Sequence, residues 1–69
     1  MNLYERVALN VKRLRTGKGW TQEVLRARLK ASTSTVPMIE NGKRGVSLNM
    51  LDRLAYVFRV DPVELVRKP

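Results

Sequence analysis

Between Thr21 and Arg44 the chain reads TQEVLRARLKASTSTVPMIENGKR, and this punctuation allows little besides two short helices joined by a tight connection. Thr21 offers a hydroxyl to cap the first helix, and Glu23 follows in the first turn, where an acid suits the positive end of the helix dipole. Ser32, Thr33, Ser34 and Thr35 open the second segment with hydroxyls and no charge. Asn41 and Gly42 close it with the residue types that best tolerate positive φ. Two helices this short bury little surface by themselves, so further helices must support them. Together they can present the hydroxyls and amides that open the second helix to a partner.

The supporting helices are visible on either side. Leu3, Val7, Val11 and Leu14 form a helical stripe, which predicts a first helix from Asn2 to Thr16, stopped by Gly17 and Gly19. Lys12, Arg13 and Arg15 fall in its last turns, where cations suit the negative end of the dipole. Trp20 precedes the Thr21 cap and is expected to close a hydrophobic staple on Leu25. The second helix is expected over Gln22 to Arg28, with Leu25 and Leu29 inward, and the third over Thr33 to Glu40, with Val36 and Ile39 inward. After a loop from Gly42 to Val46, Ser47 reads as the cap of a fourth helix whose apolar face is Leu48, Leu51, Leu54, Ala55 and Phe58. Asp61 caps a fifth, with Pro62 at its first position and Val63, Leu65 and Val66 as apolar surface. No segment alternates with a period of two, so no sheet is expected. The expectation is an all-α, five-helix single domain over residues 1–69.

Pro37 complicates the third helix. If Ser32 is its cap, Pro37 stands at the fifth helical position, removes a backbone bond and clashes with the Thr33 carbonyl, at a cost of ~3 kcal/mol. If Ser34 is the cap, Pro37 is third, where no intrahelical donor is needed.

Composition excludes several classes of function. There is no cysteine and no histidine, which removes disulfides, thiolate metal sites, thiol catalysis and the commonest general base. No clustered carboxylate pair or glycine-rich phosphate loop is present, so neither an enzyme nor a cofactor is expected, and no small-molecule ligand is evident. No apolar run reaches the ~20 residues that cross a bilayer. Glu5 and Arg6 interrupt any signal-peptide layout, which makes the cytoplasm the expected location. Fourteen Lys and Arg against six Asp and Glu give a formal charge of +8. That balance favours a polyanion as partner.

The order T-Q-E-x-L, S-T-S-T, I-E-N-G-K-R resembles the lambda-repressor-like (Cro/C1, XRE-type) helix-turn-helix family. Val11 to Arg15, Lys18-Gly19-Trp20, Ser47-Leu48, Leu51, Leu54-Ala55 and Val60 to Leu65 extend the likeness over nearly the whole chain. The resemblance implies a compact five-helix fold with the helix-turn-helix at about residues 21–40. Its partner would be double-stranded DNA, with the second helix of the motif in the major groove. It carries base-facing roles onto Thr33, Ser34 and Met38, and phosphate contacts onto Gln22, Thr35, Asn41, Lys43 and Arg44. It also implies a structural ion pair between Arg15 and Glu40. No Arg, Asn or Gln reaches out from the recognition helix to make a bidentate base pair, so modest base specificity aided by DNA shape is expected. Arg26 stands where the family usually has alanine, and Lys30 where it usually has the glycine of the turn. A left-handed turn at Lys30 would cost roughly 1 kcal/mol relative to glycine.

The function so implied is a sequence-specific transcriptional regulator that binds operator DNA as a homodimer, with Val63, Val66, Met50 and Tyr56 as candidate interface groups. The alternative is an antitoxin or adaptor that acts mainly through a protein partner. A partner-binding tail beyond the domain would favour it, and with the sequence read to Pro69 none is expected.

Overall fold

In a computed structural model describing residues 1–69, the first helix starts at a reciprocal cap. Asn2 Oδ1 accepts from the Glu5 amide at 2.9 Å, and Glu5 Oε1 accepts from the Asn2 amide at 2.9 Å. This capping box satisfies two amides that the helix itself leaves free. Helix α1 (Leu3–Gly17) then buries Val7, Ala8, Asn10 and Val11. Leu3, expected in the same stripe, is 58% exposed. It lies one turn before Val7, in a stretch where residues 1–5 all face solvent.

Four further helices follow: α2 (Gln22–Leu29), α3 (Thr35–Asn41), α4 (Leu48–Phe58) and α5 (Val63–Val66), with no strand. Side-chain oxygens cap α2 and α4, and a third, from Asp61, braces the turn into α5, whose N-cap is Pro62 where the sequence suggested Asp61. Thr21 Oγ1 accepts from the Val24 amide at 3.1 Å, Ser47 Oγ from the Met50 amide at 3.0 Å and Asp61 Oδ1 from the Val63 amide at 2.9 Å. Helix α1 packs on α3 and α5, and α2 on α3 and α4. One apolar cluster fills the centre, with Val7 and Val11 from α1, Leu25 and Leu29 from α2, Val36 and Ile39 from α3, Leu54, Ala55 and Phe58 from α4, and Leu65 from α5. Leu48 is 83% exposed and does not join it. At ~100° per residue Leu48 sits at the edge of the stripe that Leu51, Leu54, Ala55 and Phe58 define, in the first turn of α4. Trp20 packs against the cluster that contains Leu25 and finds an aromatic partner in Phe58. The two rings stack at 5.8 Å with 16° between their planes.

Two structural roles were not read from sequence. Asn10 is fully buried in α1, and its Nδ2 donates to the carbonyls of Leu65 at 3.0 Å and Arg67 at 2.9 Å, while its Oδ1 accepts from Arg13 Nη2 at 3.0 Å. The short α5 is thereby fastened to α1 through its own unsatisfied carbonyls. Gly42 ends α3 at φ 75°, and a Cβ there would sit 3.3 Å from Ala8 Cβ. Glycine thus serves both the left-handed cap and the close approach of α3 to α1.

Replacing Asn10 by alanine leaves two carbonyls without donors inside the fold. The expected loss is about 2–3 kcal/mol in urea melts, against under about 1 kcal/mol for Arg13→Ala, whose guanidinium lies nearer solvent. Equal small losses in both variants would show that α5 is held by apolar contact alone.

Candidate nucleic-acid interface

The start of α3 is fixed by Pro37. Ser34 takes the N-cap position, with Thr35, Val36 and Pro37 as the first three helical residues. A third-position residue donates no intrahelical bond, so the missing N–H costs nothing there. Thr33, the residue whose carbonyl the proline ring would meet, stays outside the helix. The helix therefore runs Thr35–Asn41 rather than Thr33 to Glu40, and Thr33 and Ser34 occupy the turn ahead of it. That turn is closed by the Thr35 amide on the Ser32 carbonyl at 3.1 Å and by hydroxyl contact between Ser32 and Thr35 at 2.9 Å.

With Val36 and Ile39 buried, the opposite side of α3 carries Ser34, Pro37, Met38 and Asn41, all exposed. These positions follow the i, i+3, i+4, i+7 rule for one helical face. Ser34 is exposed and makes no capping bond, and its hydroxyl contacts the Ser32 hydroxyl at 3.5 Å. Met38 is 44% exposed. Thr33 is exposed beside Gln22, Arg26 and Pro37, which line a cleft of about 210 Å³ between α2 and the start of α3. Thr35 is half-buried and holds Ser32. Lys43 and Arg44 are exposed in the loop after α3. Gly45 in that loop leaves room for Tyr4, whose ring a Cβ would meet at 2.6 Å.

Sequence reasoning overlooked Pro37 and Arg26 as members of this surface. Counting three residues on from Ser34 would have placed Pro37 on the outward face. Arg26 grips Glu23 through Nε at 2.9 Å and donates from Nη1 to the Ala31 carbonyl at 2.9 Å. The hydrogen bond from Arg26 holds the Glu23 carboxyl below the usual carboxylate range. The pair thus adds stability above the unfolded carboxylate pKa and loses it as pH falls, and exposure keeps the contribution small.

Behind the outward face stands a buried network. Arg15 Nε donates to Glu40 Oε2 at 2.7 Å and Nη2 to Glu40 Oε1 at 3.1 Å, while Nη1 reaches the Trp20 carbonyl at 2.8 Å. The side chains are 11% and 5% exposed. The Glu40 hydrogen bonds raise the Arg15 pKa still further, so the guanidinium stays charged at any working pH. Gln22 Nε2 donates to Glu40 Oε1 at 3.1 Å, which orients the amide at the start of α2. One carboxylate at the end of α3 therefore gathers α1, the connection before α2, and α2 itself.

Two short consecutive helices, the second with one face exposed on a five-helix globule, make the fold of the lambda-repressor-like DNA-binding proteins, which are not enzymes. The chain belongs to the family described as the helix-turn-helix domain, whose sequence profile matches residues 6–67. Among solved structures it is similar to the hypothetical transcription factor NHTF from Neisseria, at 25% identity over 99% of this chain and 78% of that one, with a TM-score of 0.93. It is also similar to the restriction-modification controller protein C.AhdI from Aeromonas hydrophila, at 34% identity over 90% of this chain and 94% of that one, with a TM-score of 0.82. No curated protein matches. No helix is long and apolar enough to cross a membrane.

Removing Arg15 leaves the Glu40 carboxylate buried without its counter-charge. Arg15→Ala is expected to cost about 3 kcal/mol, and the Arg15→Ala/Glu40→Ala double variant distinctly less than the sum of the single losses. Thermal melts of the four proteins measure that coupling, and strictly additive losses would refute it.

Proposed function

We propose that this domain is a sequence-specific transcriptional regulator that binds operator DNA as a homodimer. The observation that carries the reading is the outward face of α3, free of core duties and flanked by exposed cations on a domain of charge +8. Its similarity to a transcription factor and to a controller protein supports the same reading. Thr33, Ser34 and Met38 meet base edges, joined by Pro37. Met38 and Pro37 supply apolar contact suited to thymine methyl groups, and the hydroxyls serve as donor or acceptor. Gln22, Thr35, Asn41, Lys43 and Arg44 hold phosphates on the two walls of the groove. Gln22 uses one N–H on Glu40 and has the second for phosphate. The reading carries with it the cytoplasmic location and the single-domain extent expected from sequence.

One such module reads a few base pairs, so useful specificity calls for two half-sites about one DNA turn apart. Val63 is 58% exposed at the start of α5, whereas Val66 and Met50 are half-buried against the core. Tyr56 is 84% exposed on α4, so Val63 and Tyr56 are the stronger interface candidates of the four. Few side chains contribute, so the free dimer is weak and DNA reinforces it.

With several phosphates contacted per half-site, affinity for a palindromic duplex is expected to fall roughly 10³-fold from low to moderate salt in fluorescence anisotropy. Lys43→Ala weakens all sequences alike, while Met38→Ala relaxes preference at one position. Salt-independent binding would sink the electrostatic reading. For the dimer, sedimentation with and without the palindrome is decisive, with Val63→Asp expected to abolish cooperative loading. A wild-type protein that loads one copy at a time would rule the homodimer out.

A further inference from the structure

The chain holds two non-glycine residues in the left-handed region, Lys30 at φ 55° and Arg59 at φ 58°. Both end helices, α2 and α4, at positions where glycine is the unstrained choice. Both are cations, and both border one surface. Two adjoining depressions of about 500 and 510 Å³ lie between the C-terminal half of α2 and α4, and share Arg28, Tyr56 and Val57. Their rims carry Arg28, Lys30, Arg53 and Arg59 against a single acid, Asp52. Tyr56 stands between them at 84% exposure. Strain kept in non-glycine residues clusters where a surface is used, and here the strained residues are the ones that add charge.

The place of this groove separates it from the recognition face. On α2, Gln22, Glu23 and Arg26 look into the cleft beside Thr33 and Pro37, whereas Arg28 looks into the groove. At 3.6 residues per turn, Arg26 and Arg28 point about 160° apart around the helix. A duplex seated on α3 does not reach round α2 to Arg28.

We propose that the groove between α2 and α4 binds an acidic segment of a protein partner, anchored by an apolar or aromatic side chain. Charge complementarity selects the acidic segment, since Arg28, Lys30 and Arg59, with Arg53 also bonded to the Leu29 carbonyl, stand against one acid. A second copy of the chain joined by a two-fold axis would set the same cationic rim against itself, and like charges would oppose the contact. Phosphate alone would use the cations and leave Tyr56, Val57 and Val60 unused. A peptide side chain packs on half-buried Val57 and Val60 and along the projecting Tyr56 ring while carboxylates pair with the rim, the arrangement of a small anchored interface. Arg28 is the central group. Its guanidinium lies 4.3 Å over the Trp20 ring, so an acid drawn onto Arg28 is felt by the chain's single tryptophan. The proposal stands independently of DNA recognition by α3.

The test uses the full chain, isotope-labelled for amide NMR, titrated with a peptide of four glutamates around a central phenylalanine. A peptide with lysines in place of the glutamates is the control. Saturable shifts are expected at Arg28, Lys30, Tyr56 and Arg59 together with a change in Trp20 fluorescence, and none with the lysine peptide. The Lys30→Gly/Arg59→Gly variant relieves both left-handed positions while removing two charges, so it folds at least as stably as the parent. Peptide affinity is expected to fall about tenfold in it, while affinity for a short duplex changes less than about threefold. Shifts confined to α3 and residues 43–44 would show that the peptide merely occupies the DNA face and would overturn the proposal. Unchanged affinity in the double variant, no saturable shift, groove shifts produced by the duplex itself, or self-association through Tyr56 would overturn it equally. DNA binding is read in the same samples, so failure of either assignment is seen separately.

Discussion

The bidentate contact of Arg15 with Glu40 sets the geometry on which the recognition face depends. Burial of Val36, Ile39, Leu25 and Val11 draws α1, α2 and α3 together, but apolar contact is non-directional and leaves rotation of a seven-residue helix weakly fixed. The guanidinium answers that with three directed bonds, two to the end of α3 and one to the carbonyl before α2. Gln22 adds a bond from α2 to the same carboxylate. The net energy of such a pair is small compared with an apolar replacement. Its consequence is orientation: the outward face of α3 is aimed relative to the start of α2, and those two elements flank the cleft beside Thr33. Asn10 does for α5 what Arg15 does for α3, with polar groups of α1 serving as the pins on which the later helices hang.

Much of the fold was legible because the signals were local. Thr21 and Ser47 each accept a nearby amide as a cap should, Asp61 accepts one in the turn just ahead of α5, and the stripes of α1 and α4 predicted buried Val7, Val11, Leu54, Ala55 and Phe58. Periodicity failed at the ends of the stripes, where Leu3 and Leu48 stand exposed. Asn10 was invisible for a different reason. An asparagine inside a helix reads as an exposed polar residue, and its partners, Leu65 and Arg67, lie more than fifty positions away. The Arg15 to Glu40 contact is likewise non-local, and only the family likeness pointed to it. For the outward surface, Pro37 itself supplied the decisive clue. Of the two starts it allowed, the structure takes the one that leaves no donor missing, and that choice moves Thr33 and Ser34 into the turn.

The late start changes what the proposed recognition element can present. A helix begun at Ser32 would project Thr33 and Ser34 from a first turn with fixed spacing. Here they ride on a turn held by Ser32 and Thr35 hydroxyls, with a proline ring beside them. The ring removes backbone freedom from the centre of the face, while the hydroxyls keep rotational freedom. The surface thus combines a rigid apolar middle with adaptable polar edges, a poor match for bidentate hydrogen bonding and a better one for shape and methyl contact.

The turn between α2 and α3 shows how the same economy of residues handles a lost glycine. Lys30 occupies the left-handed position with a side chain that raises its cost, yet the flanking carbonyls are both taken by arginines. Arg26 reaches the Ala31 carbonyl from within α2, and Arg53 reaches the Leu29 carbonyl from α4. These bonds satisfy acceptors at the end of α2 and brace the turn from both sides, so the strain is spread over a cross-linked corner. Arg13, Arg15, Arg26 and Arg53 therefore each commit hydrogen bonds to groups of the chain itself, although each still counts toward the charge of +8. The salt dependence of a protein on DNA follows the phosphates it neutralises, not its formal charge. For this chain the number that matters is the subset of cations standing free beside α3, and the sequence total overstates it.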